Sequence, residues 1–125
     1  MKAMVEYEDD HYPMLMDWWE KRGMGMTPEE RLPEIGYIVP EVAAGFLYQT
    51  DSDIALIEGL ISNPETDGFT RHGALDAIVD ALAEKAKELG FKTLYGFTRQ
   101  RAVARRAERH GYDSNGAFVL YVKEV

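Results

Sequence analysis

A glutamate inside an apolar run is the residue of this chain most suited to acid–base chemistry. Glu58 lies within residues 54–62, where its neighbours Ile57 and Leu60 are apolar. Removal from water raises the pKa of a carboxyl group, which suits a general base near neutral pH. Because side chains alternate along a strand, Glu58 and Leu60 are expected on one face, and Ile57 and Gly59 on the other. Two interpretations stay open: a base that lines a cleft, or a strand glutamate that faces solvent.

Other kinds of catalytic centre find no support in the sequence. The chain has no cysteine and no Gly-x-Ser-x-Gly motif, so the common nucleophile signatures are missing. Its three histidines, His11, His72 and His110, are far apart and lack metal-ligand spacing. No metal site is predicted. His110 directly precedes Gly111, which favours a role at the end of a helix.

The charge of the chain favours cationic partners. A formal net charge of −8 repels phosphate backbones, so nucleic-acid binding is not expected. Amines or basic peptides would be attracted, although the acidity could equally serve solubility alone. One segment runs against this trend and forms either an anion-binding face or a solvated face balanced by acids elsewhere. Its arginines are Arg99, Arg101, Arg105, Arg106 and Arg109.

Size and composition predict one folded domain over residues 1–125. The 125 residues are 46% hydrophobic, which is enough for a core. No apolar run approaches the roughly 18 residues of a membrane span, and the first ten residues turn acidic at once. The absence of cysteine fits a reducing compartment. A cytoplasmic protein without membrane contact is therefore expected.

The first half of the chain predicts a short strand, a helix and an antiparallel meander. The strand covers residues 2–7, and the helix runs from Pro13 to about Arg22. Of the two tryptophans on this helix, at positions 18 and 19, either one lines a groove or both are core residues. Three strands follow at 35–39, 42–49 and 54–62. Their short links can join only antiparallel neighbours.

The second half predicts the longest helix and a parallel crossover. An apolar stripe of helical period comprises Leu75, Ile78, Val79, Leu82, Ala83, Ala86 and Leu89, and Gly90 ends it. A strand at 91–98, a helix at 99–110 and a last strand at 116–125 complete the chain. A strand, a long helix and another strand of the same sheet form a right-handed crossover. The fold class is thus α/β, with a mixed, largely antiparallel sheet and helices on both faces.

Three stretches resemble the GNAT-type N-acetyltransferases over nearly the whole chain. Residues 57–65 (IEGLISNPE) are similar to the family's fourth strand and the Pro-Glu step after it. The helix over 74–89 and the following Gly90–Leu94 resemble its main helix and fifth strand. Residues 107–112 (AERHGY) take the place of the family's Tyr-Glu-Lys-x-Gly-Phe. The chain also resembles short GNAT-like proteins of phages and prophages.

The resemblance implies transfer of an acetyl group from acetyl-CoA to a primary amine by direct attack. Glu58 would be the base, and Tyr112, Tyr95 or a water molecule is the candidate proton donor to the leaving thiolate. Helix N-termini bind anions, so the segment before the main helix would hold the pyrophosphate. The residues implied in cofactor binding are Leu60, Ile61, Ser62, Gly68, Arg71, His72, Gly73 and Gln100.

The sequence departs from the family pattern at two places. The family's Arg/Gln-x-x-Gly-x-Gly/Ala loop falls on residues 67–72 (DGFTRH) without a gap, or on 70–75 (TRHGAL) with a three-residue insertion. Neither alignment restores the glycines that let the backbone approach a phosphate. Arg71 and His72 could compensate as direct phosphate ligands. Ala107 stands where many members carry the proton-donating tyrosine.

Two functions follow from these observations. One is the acetyltransferase, with a small-molecule or peptide amine as acceptor. The alternative is a catalytically inactive protein of the same fold that binds a protein partner, through the N-terminal helix or the arginine-rich segment 99–109. A homodimer is possible in either case.

Overall fold

The computed structural model describes residues 3–125, so the predicted strand 2–7 and domain 1–125 are seen only from Ala3 onwards. The strands are β1 (Val5–Glu6), β2 (Ile35–Val39), β3 (Ala43–Gln49), β4 (Ile54–Ser62) and β5 (Thr93–Tyr95). The helices are α1 (Tyr12–Lys21), α2 (Gly68–Glu88) and α3 (Arg101–Arg109), with 3-10 turns at Asp9–His11 and Glu29–Arg31.

The five strands form one sheet in sequence order. β1 to β4 are antiparallel neighbours, and β5 pairs with β4 in parallel after the α2 crossover. The predicted meander and the predicted parallel crossover are both confirmed.

Each face of the sheet is covered by a helix. On one face α1 buries Leu15, Trp18 and Trp19 against Ile38 and Phe46. Both tryptophans are therefore core residues, and neither lines a groove. On the other face the stripe of α2 packs on β2, β3 and β4, with a core that includes Val39, Leu47, Ile57, Ile78 and Leu82. Helices on both faces are thus confirmed as well.

A glycine in β3 sets how closely α2 approaches the sheet. A Cβ atom at Gly45 would stand 2.9 Å from Ile78 of α2 and 2.7 Å from Leu60 of β4. Both distances are below ordinary van der Waals contact, so a side chain here would push the helix outward. The close packing fixes the helix against the strand that carries Glu58.

Helix α2 begins six residues earlier than the apolar stripe indicated. It starts at Gly68 instead of Ala74, because Asp67 supplies an N-cap that accepts a hydrogen bond from the Thr70 N–H at 2.8 Å. The first turns carry glycine, arginine and histidine, so periodicity alone could not detect them.

The last predicted strand, 116–125, is wrong as a strand of this sheet. The segment pairs with no strand of the described part of the chain, and five successive apolar side chains from Phe118 to Val122 are 68–88% exposed. Its contacts include the ring of Phe97, 6.2 Å from that of Phe118, and Arg31, 3.8 Å from Glu124. The strand at 91–98 is also shorter than predicted, and three residues of β5 offer little edge for a ten-residue strand to pair with.

Within residues 3–125, none of the helices is long and apolar enough to cross a bilayer.

Candidate functional site

The sheet opens between β4 and β5. The two strands pair only where Ile54–Leu56 meets Thr93–Tyr95, whereas β4 continues to Ser62. Beyond Leu56 the β5-facing edge of β4 therefore has no strand partner within residues 3–125. Backbone N–H and C=O groups along such an edge can bind an extended ligand as a further strand would.

A β-bulge lies in β4 at the start of this open edge. Glu58 pairs with Phe46, and Ile61 pairs with Ala44. Three residue steps along β4 therefore lie opposite two along β3. Gly59 has φ of +70°, a conformation that glycine adopts without strain. The extra residue bends the strand next to Glu58.

Because of the bulge, the prediction that Leu60 and Glu58 lie on the same face of the sheet is wrong. Alternation put Leu60 on the same face as Glu58, but Leu60 packs with the α2-side core. Glu58 instead pairs with Phe46, which belongs to the α1-side core. A one-residue shift reverses every later side chain of a strand, and the glycine at position 59 was the only hint available in the sequence.

Glu58 is half-buried on the α1 face. Burial raises the pKa of its carboxyl group above the usual 4.5. Tyr48 lies close enough that burial first, and the Glu58 charge second, raise the pKa of the phenol. Within residues 3–125, no hydrogen bond or ion pair holds the Glu58 carboxylate, so it is free to accept a proton from a ligand.

Asp67 occupies the N-terminus of α2 with its own carboxylate. The carboxylate accepts the backbone N–H of Thr70 and the hydroxyl of Thr70, both at 2.8 Å. These hydrogen bonds from Thr70 hold the pKa of Asp67 below its usual value. The position at which a helix would bind an external anion is thus already filled by an internal one.

Two arginines meet beside this helix end. Arg22, just after α1, donates from Nε to the Ser62 carbonyl at 2.8 Å and from Nη2 to the Ser62 hydroxyl at 2.7 Å. Burial first, and the positive charge of Arg71 second, lower the pKa of Arg22. The Nε atom of Arg71 is buried and finds no hydrogen-bond partner among residues 3–125. A positive corner with donor capacity to spare attracts an anion.

Arg22 was missed by the sequence analysis, which considered Arg71 and His72 as the phosphate ligands of this loop. Forty residues separate Arg22 from Ser62, and an arginine at a helix end ordinarily reads as a complement to the helix dipole. Only the packing of α1 against the end of β4 brings it to Arg71.

The remaining residues predicted at the loop lie within α2. Gly68 is the first helical residue, and Arg71, His72 and Gly73 belong to its first turns. His72 points toward α3, with Nδ1 2.7 Å from Arg106 and Nε2 3.0 Å from Arg109. A neutral imidazole has one acceptor nitrogen, so it accepts from only one of the two guanidinium groups. His72 therefore contacts the arginines of α3, whereas Arg71 lies near Arg22.

Of the predicted strand residues, Leu60 lies within the bulge, and Ile61 and Ser62 follow it. Ile61 is buried in the α1-side core, and Leu60 in part on the other face. The Ser62 carbonyl is held by Arg22. Leu60 and Ile61 thus lie on the stretch of β4 that has lost its β5 partner.

Tyr112 and Gln100 lie apart from Glu58. Tyr112 packs against the α2-side core, and burial first, with the Asp80 charge second, raises the pKa of its phenol. Its hydroxyl is buried without a hydrogen bond. Gln100 is the exposed N-cap of α3. The structure therefore places Tyr112 and Glu58 on opposite faces of the sheet, and Tyr112 as proton donor stays a prediction.

An ion-pair cluster joins α2 to α3. Arg106 is buried and donates from Nε to Asp76 at 2.9 Å, while His110 contacts Asp76 at 3.1 Å and Asp80 at 2.7 Å. The acids of α2 thus neutralise part of the arginine-rich segment. Among residues 3–125, no group of histidine, aspartate and glutamate side chains is arranged to hold a metal ion.

Solved structures share this architecture along nearly the whole chain. A Trypanosoma brucei acetyltransferase superposes with a TM-score of 0.73 at 10% identity, covering 98% of this chain and 100% of that one. A GNAT-family acetyltransferase from Staphylococcus aureus gives a TM-score of 0.69 at 10% identity, covering 89% and 84%. An aminoglycoside acetyltransferase from an uncultured soil metagenomic sample, in complex with sisomicin, gives 0.67 at 13% identity, covering 98% and 95%.

The chain therefore has the GNAT-type fold. In sequence, no protein-family model and no curated protein matches it.

Proposed function

We propose that this protein transfers an acetyl group from acetyl-CoA to a primary amine, with Glu58 as the general base. The observation that carries the proposal is the position of Glu58 beside the open edge of β4. The Glu58 carboxylate is half-buried and has no hydrogen-bond or ion-pair partner among residues 3–125. It stands next to the bulge, where the strand becomes free to bind a ligand.

The chemistry assigned to Glu58 is proton removal. An amine with a pKa near 10 is almost wholly protonated at neutral pH and cannot attack a carbonyl carbon in that form. The Glu58 carboxylate takes a proton from the ammonium group, directly or through a water molecule. The neutral nitrogen then forms a bond to the acetyl carbon as the bond to the thiol sulfur breaks, and the proton that the nitrogen loses on becoming an amide goes to the leaving thiolate. Acetyl-CoA supplies the activated thioester for this step.

The residues present fit acetyl-CoA in two of three respects. The unpaired edge of β4 around Leu60 and Ile61 suits an extended pantetheine arm. The corner formed by Arg22 and Arg71 suits phosphate groups. The Asp67 carboxylate opposes a phosphate at the N-terminus of α2, so the arginines would carry more of the anion binding than the helix does.

The acceptor we propose is a cationic amine of small-molecule or peptide origin. Glu58 faces the α1 side of the sheet beside Tyr48, which offers a carboxylate and an aromatic ring to an ammonium group. The net charge of −8 attracts cations to the molecule. A structural neighbour is described as an aminoglycoside acetyltransferase.

The test combines binding with turnover. Isothermal titration calorimetry with acetyl-CoA, followed by thiol release against a panel of primary amines, should give binding and amine-dependent turnover. Glu58→Gln should lower kcat at least about 100-fold, the scale of general-base catalysis, with little change in acetyl-CoA affinity. The matched control is Glu84→Gln, an exposed position on α2, which should keep full activity.

A second candidate is a GNAT-fold protein that is catalytically inactive and binds a protein partner. The observation in its favour is the Asp67 carboxylate in the anion position of α2. If millimolar acetyl-CoA produced no binding heat and no thermal shift, the enzyme would be ruled out and this candidate would remain. Turnover that survives in Glu58→Gln would keep the enzyme and remove Glu58 as its base.

A further inference from the structure

A tyrosine stands at the point where β4 and β5 separate. Tyr95 is the last residue of β5 and pairs with Leu56, and beyond this pair the two strands diverge. The next residue, Gly96, still lies close to β4, because a Cβ atom there would stand 3.8 Å from the Ile57 carbonyl oxygen. Tyr95 therefore marks the inner end of the open edge of β4.

Tyr95 shares the α1 face of the sheet with Glu58. Its neighbour Leu94 packs with the α2-side core, so the alternation along a strand directs Tyr95 to the other face. Glu58 follows Leu56 by two residues and precedes the bulge, so it lies on the same face as Leu56 and its partner Tyr95. A strand spacing of about 4.8 Å and a rise of about 6.6 Å per two residues put the Cα atoms of Tyr95 and Glu58 about 8 Å apart. Both side chains can therefore reach one reacting group between them.

The phenol of Tyr95 is available to a ligand. Tyr95 is 47% exposed, and its hydroxyl has no hydrogen-bond partner among residues 3–125. Tyr48, the other tyrosine near Glu58, lies on β3, across β4 from the opening. Tyr112 packs on the opposite face of the sheet, and Ala107 has no proton to donate. Of these three tyrosines, Tyr95 is the one that adjoins the opening.

The direction of an extended ligand along β4 brings its reactive end to this place. Arg22 and Arg71 form the positive corner at the Ser62 end of the strand. A ligand whose phosphate groups bind there, and whose arm follows the open edge as a further strand would, ends at the pair of Leu56 and Tyr95. The thioester of acetyl-CoA would then lie between Glu58 and Tyr95.

We propose that Tyr95 is the general acid that protonates the leaving thiolate, an assignment that rests on the acetyl transfer proposed above. As the bond between the acetyl carbon and the sulfur breaks, the Tyr95 hydroxyl donates its proton to the sulfur. The proton that the nitrogen loses on becoming an amide then returns to the phenolate oxygen, so the phenol is restored and the net transfer is from nitrogen to sulfur. Glu58 removes the earlier proton of the ammonium group, so the two residues act on different protons.

Calorimetry with coenzyme A and with desulfo-coenzyme A, which lacks the sulfur atom, tests the contact without turnover. At pH 9 most of a free thiol with a pKa of about 8.5 is thiolate, which accepts a charge-assisted hydrogen bond. The wild-type protein should bind coenzyme A about tenfold more tightly than the desulfo compound. Tyr95→Phe should bind the two compounds equally and keep the wild-type affinity for the desulfo compound. The matched control is Tyr121→Phe, which removes the hydroxyl of another exposed tyrosine and should keep the preference.

Turnover with acetyl-CoA and a primary amine completes the test. Tyr95→Phe should lower kcat about 100-fold at unchanged affinity for acetyl-CoA, and Tyr121→Phe should keep full activity. A wild-type protein without the preference for coenzyme A, a preference that survives in Tyr95→Phe, or one that is lost in Tyr112→Phe would overturn the role of Tyr95 and leave the acetyltransferase standing. Absence of binding to either compound would remove the acetyltransferase itself and the role of Tyr95 with it.

Discussion

The Asp67 carboxylate and Thr70 form two hydrogen bonds of 2.8 Å that close the N-terminus of α2. Without the Asp67 carboxylate, the N–H group and the hydroxyl of Thr70 could donate to an anion outside the helix. Stabilisation of the helix and binding of a phosphate group therefore compete for one position.

Replacing Asp67 by asparagine should strengthen acetyl-CoA binding. Asparagine caps helices about as well as aspartate, so the free energy of unfolding should hardly change. Loss of the negative charge should raise acetyl-CoA affinity about fivefold, because the exposed carboxylate no longer repels the phosphates of the ligand. Calorimetry measures the affinity, and Asp51→Asn, an exposed change in the β3–β4 turn, is the control. Equal effects of the two variants would contradict the competition.

Glu58→Gln should stabilise the protein at neutral pH. Burial raises the folded-state pKa of Glu58 above 4.5, so the folded state holds the proton longer than the unfolded chain. Below pH 4.5 Glu58 does not reduce the free energy of unfolding. As the pH rises from there through the folded-state pKa, the free energy of unfolding falls. The gain from Glu58→Gln should be present at pH 7 and absent at pH 4. Urea denaturation at the two pH values measures it, and a gain that is equal at both would count against the shifted pKa.

Asp76→Asn should destabilise the protein by about 2–3 kcal/mol. Arg106 is only 5% exposed, and without its charged partner it would be left uncompensated inside the protein. The matched control is Asp80→Asn, whose more exposed carboxylate should cost less than about 1 kcal/mol. Denaturant unfolding compares the two. If both variants lost the same stability, the Arg106 pair would not be the cause.

The Asp76 pair also predicts a loss of stability in acid. Burial would raise the pKa of Asp76, but hydrogen bonds from His110 and Arg106 outweigh it and leave the pKa lowered from 3.8. The stabilisation is therefore present above pH 3.8 and is lost as the pH falls through the folded pKa. The difference in unfolding free energy between wild type and Asp76→Asn should shrink over that range.

Gly59→Ala and Gly73→Ala should move stability in opposite directions. Gly59 has φ of +70°, and a Cβ there would stand 3.0 Å from the ring of Phe46. Alanine at position 59 should cost about 2 kcal/mol and reduce acetyl-CoA binding by straightening the bulge. Gly73 has open space around it within α2, so alanine should add about 0.5–1 kcal/mol. Thermal unfolding separates them, and a neutral Gly59→Ala would mean that the bulge needs no left-handed residue.

The sequence by itself determined the elements whose signals are local. The stripe from Leu75 to Leu89 predicted the helix, and the short links at Pro40 and Thr50 predicted the antiparallel meander. The resemblance at residues 57–65, 74–94 and 107–112 predicted the fold, which the solved structures confirm. Each of these depends on residues within one or two turns or strands, where periodicity and turn chemistry act.

Only the tertiary structure decided what lies around the candidate site. The bulge at Gly59 turned Leu60 away from Glu58, and the contact of Arg22 with Ser62 spans forty residues of chain. Segment 116–125 has the composition of a strand but no strand partner among the described residues 3–125. A strand needs a second strand to satisfy its backbone, and whether one is present is a property of the assembled fold and not of the local sequence.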